Sequence, residues 1–540
     1  MAVKPIKTSF TNMSFTPDIP SAALSEQEFN NGYNIETNDR AINSVKGDAP
    51  ILDAITGNVI FTSAGFRAND IYWFVVATKE GHWYGLDGAG VANLTPAANT
   101  YISTSYTDSS QITDSWNGQV LFINDNINPP MYLLPTDAYF QLYSNDANST
   151  PSSTNYVWNY NTSYTALRAG FMRLFSSPNV GSLLIAGNLQ ADTTSNTIVN
   201  LPGTVRWSQA FGLNSGPTTW APTATNVANE LEVPLRGPAI DGFPMNGNFY
   251  VCSYWDTCVF SPIAYTSTSA PVFGIRLINQ GRGLLNENCW ANADNAVYGL
   301  DARDIWVFDG GNFKSLGNQR VRNYFFQNLN PSYANQTFIV NNTAKNQIEL
   351  YYPDLNSTGN CNQMLGYRYD LNVWQAPRAV KNASHAVESP IWSGNSYNEA
   401  TRTVVYSQGG TPGSKLVQKD QGTSFMSNAT ANGAPISTLF ERDNISFGQP
   451  YSNKVQVHRI LPEVVGTGNV NVTVGGSNSV GANISYKPTV SMAIDTNYPW
   501  TQINQNDQRV VSVKITTNSN VDSYSMTAIN WQNTIIEDDR

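Results

Sequence analysis

The stretch NAVYGLDARDIWVFDGGNFKSLG, residues 295–317, decides the fold. β-Branched and aromatic residues fill three short runs, 297–300, 305–308 and 313–316, separated by clusters of Asp, Gly and Asn, which predicts a β-meander. The turn Asp309-Gly310-Gly311-Asn312 supplies residues that accept positive φ, as a tight hairpin requires. A second copy lies at HWYGLDGAGVANLTP, residues 82–96. In each copy Asp-Gly is followed by an apolar residue four positions after the Asp (Val91, Phe313) and by Leu seven after it (Leu94, Leu316). Repetition of small antiparallel sheets predicts an all-β protein organised as a β-propeller of six or seven blades.

At 540 residues the chain exceeds one ordinary core and predicts two or more domains. Hydrophobic residues make up 41% and aromatic residues 12%, ample for a packed interior, whereas the 13% charged residues are about half the usual quarter. The net charge of −10, with no basic run, argues against a protein that grips nucleic acid through its phosphates. The opening MAVKPIKTSF lacks the apolar core of a signal peptide, and no apolar run approaches the ~20 residues of a membrane span. These features predict a protein made in a cytoplasm with no membrane-spanning segment. Cys252, Cys258, Cys289 and Cys361 have neither C-x-x-C spacing nor a His partner, so buried free thiols are expected.

Composition divides the chain into three parts. Residues 1–50, rich in Pro, Asn and Ser, predict an extended N-terminal arm, with a short helix over 21–30 where Ser25 and Glu28 have capping-box spacing. Strand signals every 8 to 12 residues or so place the propeller at 51–430, interrupted by a polar surface loop near 135–164. Cleaner alternation over 431–540 predicts a β-sandwich, with Val455, Val457 and Arg459 on one face and Gln456, His458 and Ile460 on the other. Residues 318–328 predict a short amphipathic helix, and Arg320 and Arg322, with no Gly-rich cradle nearby, suit a solvated face or a subunit salt bridge better than a phosphate site.

No catalytic constellation emerges. His82, His385 and His458 each stand alone, and nucleophile-elbow, Walker and Rossmann patterns are missing. Asp241, Asp256, Asp301, Asp304 and Asp309 could supply a glycosidase pair, but most stand beside Gly or in turns, where Asp is favoured for local hydrogen bonds. Trp73, Trp83, Trp116, Trp207, Trp220, Trp255 and Trp306 lie in strand patterns that favour core packing. Tyr156, Trp158 and Tyr160, in the polar loop, form the one aromatic set expected to be exposed and to contact a partner. No catalytic residue, metal or cofactor is expected.

Five segments in order carry a resemblance. They are Arg206-Trp207-Ser208 with Trp220 downstream, GNFYVCSYWDTCVFSP (247–262), VFGIRLINQGRG (272–283), VYGLDARDIWVFDGGNFKSLGNQRVRNYFF (297–326) and QRVVSVKITTNSNVDSYSMTAINWQ (508–532). Together they resemble the tail hub or nozzle proteins of short-tailed bacteriophages, the packaged-DNA stabilisation type, over residues 200–330 and 500–532. The resemblance implies a structural virion protein in the phage tail, made in the host cytoplasm and assembled as a homo-oligomer, a hexameric ring, with the 431–540 sandwich taking part in assembly. It implies portal and adaptor proteins and tail fibres or a needle as partners, and double-stranded DNA passing without sequence-specific binding. Two other readings stay open: a secreted or surface carbohydrate-binding propeller with glycosidase activity as a variant, and a phage fibre or receptor-binding protein.

Overall fold

A computed structural model describes residues 4–97, 105–107, 110–144, 156–158, 164–193, 197–263, 272–409, 413–425, 434–447, 453–479, 481–494, 501–519 and 522–537. The two Asp-Gly turns occupy equivalent places, each joining the third strand of a four-stranded antiparallel sheet to the fourth. Asp87 Oδ1 accepts the backbone N–H groups of Ala89 (2.8 Å) and Gly90 (3.2 Å), and Asp309 Oδ1 accepts those of Gly311 (3.0 Å) and Asn312 (2.8 Å). Leu94 N–H bonds Trp83 O and Leu316 N–H bonds Ile305 O, both at 2.8 Å. The repeat is therefore one hydrogen-bonded turn used twice. At Gly310, φ of 90° demands a residue without a Cβ.

Five separate sheets of this kind follow one another from Val59–Phe66 to Phe313–Ser315. The ten-stranded sheet holds two more blades, which makes seven among the described residues. The sixth is built on Phe338–Asn342, Gln347–Tyr352 and Cys361–Arg368. The long strand Arg378–Ser393 begins beside the sixth blade and then pairs with Ser396–Gln408 in the seventh. That last blade is completed by Asp48–Ile51 from the start of the chain, antiparallel to Leu416–Lys419. The seventh blade's inner strand packs on Val59–Phe66 of the first, so the ring of blades closes. The protein is an all-β molecule built on a β-propeller.

Beyond the propeller, two six-stranded sheets share a core. One runs Thr501–Gln508, Asn453–Thr467, Ser523–Glu537, Ile42–Ser44, Ile35–Thr37, with Lys4–Ser9 also on Ser523–Glu537. The other runs Asn31–Tyr33, Thr438–Ile445, Val510–Thr517, Asn469–Ser477, Ser485–Tyr486, with Val490–Ala493 also on Asn469–Ser477. Val457, Ile460, Val472, Val511, Val513 and Trp531 are fully buried there. The expected alternation breaks at a bulge between Val457 and Arg459, which turns Ile460 inward and leaves Arg459 exposed. Residues 4–44 supply strands to both sheets, and Phe10, Met13, Phe15 and Phe29 join their core to that of the propeller.

The helix expected over 21–30 is replaced by one tight turn at Ser21–Ala23 and by the strand Glu28–Phe29, paired in parallel with Ser14–Phe15. The capping contact itself forms, with Ser25 N–H donating to Glu28 Oε2 at 2.8 Å, but Phe29 is drawn into the core and the backbone stays extended. The second helix covers Arg322–Asn328, shorter than the 318–328 expected. Its cationic neighbour Arg320 donates to Ser14 Oγ (3.0 Å) and to the Asn372 carbonyl (2.7 Å), pinning the N-terminal segment.

Candidate functional site

The first strand of each blade lines the axis of a propeller, and its side chains reach the blades on either side. Arg173 of blade three grips Asp241 of blade four with two hydrogen bonds of 2.9 and 2.6 Å. It also donates to Asn288 Oδ1 (2.8 Å) at the start of blade five and lies 5.3 Å from the centre of the Trp290 ring. Trp290 Nε1 donates to Asp241 at 2.8 Å. Asp114 of blade two accepts from Ser63 of blade one and pairs with Arg173 at 3.7 Å. Asn288 Nδ2 reaches the Ile112 carbonyl of the second blade at 2.9 Å, a bond between the fifth and second blades that bridges the axis.

Beside this network is a cavity of about 40 Å³, lined by Glu287, Thr337, His385 and neighbours, with room for a few water molecules at most. The Thr337 hydroxyl is buried there without a protein partner. His385 Nδ1 lies 2.8 Å from the Thr62 carbonyl, which makes Nδ1 the protonated nitrogen, and the ring packs on Phe61 and Phe338. Burial lowers the His385 pKa to about 4, so the ring is neutral. Burial raises the Glu287 carboxyl to about 8, against the opposing effect of its own backbone N–H, and the acid carries its proton at neutral pH. The axis is thus filled by a polar network with one neutral acid and one neutral imidazole beside it.

A second buried network fastens the ring closure. Arg378, 1% exposed, donates to Asp48 Oδ1 (2.5 Å) and Asp420 Oδ1 (2.8 Å), and Lys345 bridges Asp420 (2.8 Å) to Glu36 (2.7 Å) of the N-terminal segment. Beside it, Lys419 and Glu349, both fully buried, pair at 2.5 Å through Oε2, which also accepts from the Tyr351 hydroxyl at 2.8 Å, while Asn342 Nδ2 donates to Oε1 at 2.8 Å.

The sandwich carries a groove of about 550 Å³ between strand Lys4–Ser9, the turn at Ser21–Ala23 and the end of strand Thr438–Ile445. Arg442 lines it, 5% exposed, with Nε unpartnered.

The aromatic set expected on the surface is placed differently. Trp158 is fully buried and Tyr156 is 5% exposed, while Tyr160 lies outside the described residues. The polar segment is pinned by Val157 N–H to Thr218 O (2.8 Å) and Trp158 N–H to Ser144 O (2.7 Å). This sets Trp158 edge-on to Trp220 with ring centres 4.6 Å apart and the Arg206 guanidinium 5.0 Å from its ring centre. Arg206 and Trp220 of the quoted motifs are its partners, so tertiary packing overrides the local polarity. The exposed aromatic pair is instead Tyr254 (41%) and Trp255 (42%), at the tip of a blade-four hairpin with Arg303 over Trp255.

The carboxylates serve structure. Asp256 pairs with Arg236 at 2.7 Å, and Arg282 of the Gly281-Arg282-Gly283 turn reaches Asp301 (3.2 Å) and Asp304 (2.8 Å) of the next blade. His458 meets Thr534 at 2.8 Å in the sandwich. Cys252 and Cys258 pair with Thr257 and Val251 respectively, which puts them on opposite faces of their sheet. Among the described residues no group of three or more His, Cys, Asp and Glu side chains assembles as a metal site, and no helix is long and apolar enough to cross a membrane.

No family model matches this chain and no curated protein matches it. Among solved structures it is similar to BBS1N in a complex with ARL6DN, at 10% identity and TM-score 0.38, covering 71% of this chain and 99% of that one. It is also similar to YCF48 bound to a D1 peptide, at 10% identity and TM-score 0.34, covering 75% and 97%.

Proposed function

We infer that the protein is a structural subunit of the tail hub or nozzle of a short-tailed phage, six copies forming a ring that extends the portal and adaptor channel, retains packaged DNA and conducts it on ejection. The ordered motifs over 200–330 and 500–532 support the family. The observation that carries the mechanical reading is the plugged axis: Arg173, Asp241 and Asn288 are fully engaged in tying blades to one another. A propeller cross-linked in this way acts as a rigid block, and the passage for DNA lies between subunits. An acidic chain lining that passage repels phosphate and lets the duplex slide. Mass photometry and negative-stain imaging of the purified protein test the reading, and closed rings are expected. A monomer at every concentration tried, particularly one that binds a glycan array, overturns it.

A further inference from the structure

The cavity beside the axis lies at one mouth of the propeller. Its lining residues Ile112, Asn288 and Thr337 stand just ahead of Thr113, Trp290 and Phe338, the first residues of the inner strands of blades two, five and six. Strands within a blade alternate in direction, so the turn between the second and third strands emerges at the same mouth. In blade four that turn carries the exposed Tyr254, whose pKa is raised by burial and further by the nearby Glu287 charge. Gln111, Asn335 and Gln336 of the lining are only half-buried, so the cavity communicates with solvent.

Three lining groups are acceptors that lack a side-chain donor. Glu287, 8% exposed, forms no ion pair among the described residues, and the nearby cation Arg173 is committed to Asp241 and Asn288. The Thr337 hydroxyl, on a residue 1% exposed, has no partner. His385 carries its proton on Nδ1, facing the Thr62 carbonyl, which leaves Nε2 of this lining ring as an acceptor. The 40 Å³ that these groups share has room for one ammonium group, which is close to a water molecule in size. An alkylammonium has three N–H donors and no acceptor, and it brings the positive charge that a buried carboxylate needs. An anion would meet only acceptors there and be repelled.

We propose that this cavity binds a primary alkylammonium group, which donates to the Glu287 carboxylate, the Thr337 hydroxyl and His385 Nε2. Binding ionises Glu287, whose proton leaves to solvent. Free polyamines and lysine side chains both present this group, and the site does not depend on ring formation. Around Glu287, Arg173 and Asp241 are ion-paired, His385 is neutral above about pH 4, and burial holds Tyr254 and Cys289 above their ordinary values. Of these groups only Glu287 titrates near neutrality, so affinity should rise about tenfold from pH 6 to 7 and level off above pH 8.

Titration calorimetry of the full-length protein above pH 8 tests the site with putrescine and with Nα-acetyl-lysine amide, and with tetramethylammonium as a cation that has no N–H. Saturable binding of at least one amine is expected, with tetramethylammonium weaker by roughly tenfold or more. Glu287→Gln keeps the shape and loses the charge, and should weaken binding by roughly tenfold or more. Thr337→Val removes a hydroxyl that no protein group holds, so it should weaken binding without weakening the fold. Tighter binding of putrescine identifies a free polyamine as the ligand, and tighter binding of the lysine amide identifies a side chain of a partner protein. Failure of both amines to bind, equal binding of tetramethylammonium, unchanged affinity in Glu287→Gln, or an affinity independent of pH overturns the proposal.

Discussion

Glu287→Gln at the propeller axis isolates one buried proton. In the folded protein the Glu287 carboxyl holds its proton to about pH 8, whereas the ordinary value is 4.5. Between those limits the unfolded chain has released the proton and the folded protein has not, so stability falls as pH rises, by about 1.36 kcal/mol per unit and about 5 kcal/mol over the window. His385 acts in the opposite sense. Its folded pKa is about 4 against an ordinary 6.5, so its contribution is complete above 6.5 and is lost as pH falls toward 4, by about 3 kcal/mol. From pH 4.5 to 6.5 the two slopes cancel, and above 6.5 only the Glu287 loss remains, about 2 kcal/mol by pH 8.

Gln fills nearly the same volume and does not titrate. Of these two contributions the variant keeps only that of His385, which gains from pH 4.5 to 6.5, where the pair cancels in the wild type, and stays level above 6.5, where the wild type loses the Glu287 part. The difference between variant and wild type should grow by up to about 5 kcal/mol between pH 4.5 and 8. Urea unfolding at half-unit pH steps, followed by tryptophan fluorescence with slopes held in common, measures it. Parallel profiles for the two proteins would refute the account of Glu287 as a buried, neutral acid beside the axis.

Two further perturbations follow from the same burial. Lys419→Met leaves Glu349 buried without its partner and should destabilise by about 3–5 kcal/mol, while the double variant with Glu349→Gln should recover most of that, as urea midpoints would show. Trp158→Ala should cost about 3–5 kcal/mol through the cavity left beside Trp220. Trp255→Ala, at an exposed site with one cation–π contact, should cost under about 1 kcal/mol, and thermal melts of the two variants compared side by side decide the ranking.

Local chemistry was legible in the sequence wherever one turn or one strand settles it. The Asp-Gly repeat predicted a hairpin turn at Asp87 and at Asp309, and the turns are legible because the bonds that hold them join residues within three of each other. The axis was not legible, because Arg173, Asp241, Asn288 and His385 come from four blades and no local pattern marks their convergence. Asp241 stood among the candidate carboxylates but was read as a turn residue, since its neighbour is Gly242. His385 was set aside as solitary. Trp158 misled for the converse reason: its neighbours are polar, and the partners that bury it, Trp220 and Arg206, are about fifty residues away or more.

The closure network adds an argument from charge. Among the described residues Glu36, Asp48, Glu349 and Asp420 pair with Lys345, Arg378 and Lys419, one cation short of balance. Burial raises the Asp48 pKa against the lowering effect of Arg378 and Lys419, which makes Asp48 the group best placed to take up the missing charge as a proton. Tyr406 donates to Asp48 Oδ2 at 3.1 Å and Arg378 to Oδ1, so the carboxyl stays hydrogen-bonded as it titrates. The strand Asp48–Ile51 that closes the propeller thus begins at a carboxyl whose ionisation works against folding, so its contribution is lost as pH rises, and Glu36 ties the same network to the segment that feeds both sandwich sheets. Loss of that anchor would loosen the blade ring and the sandwich together, which couples the rigidity of the block to the surface where copies would meet.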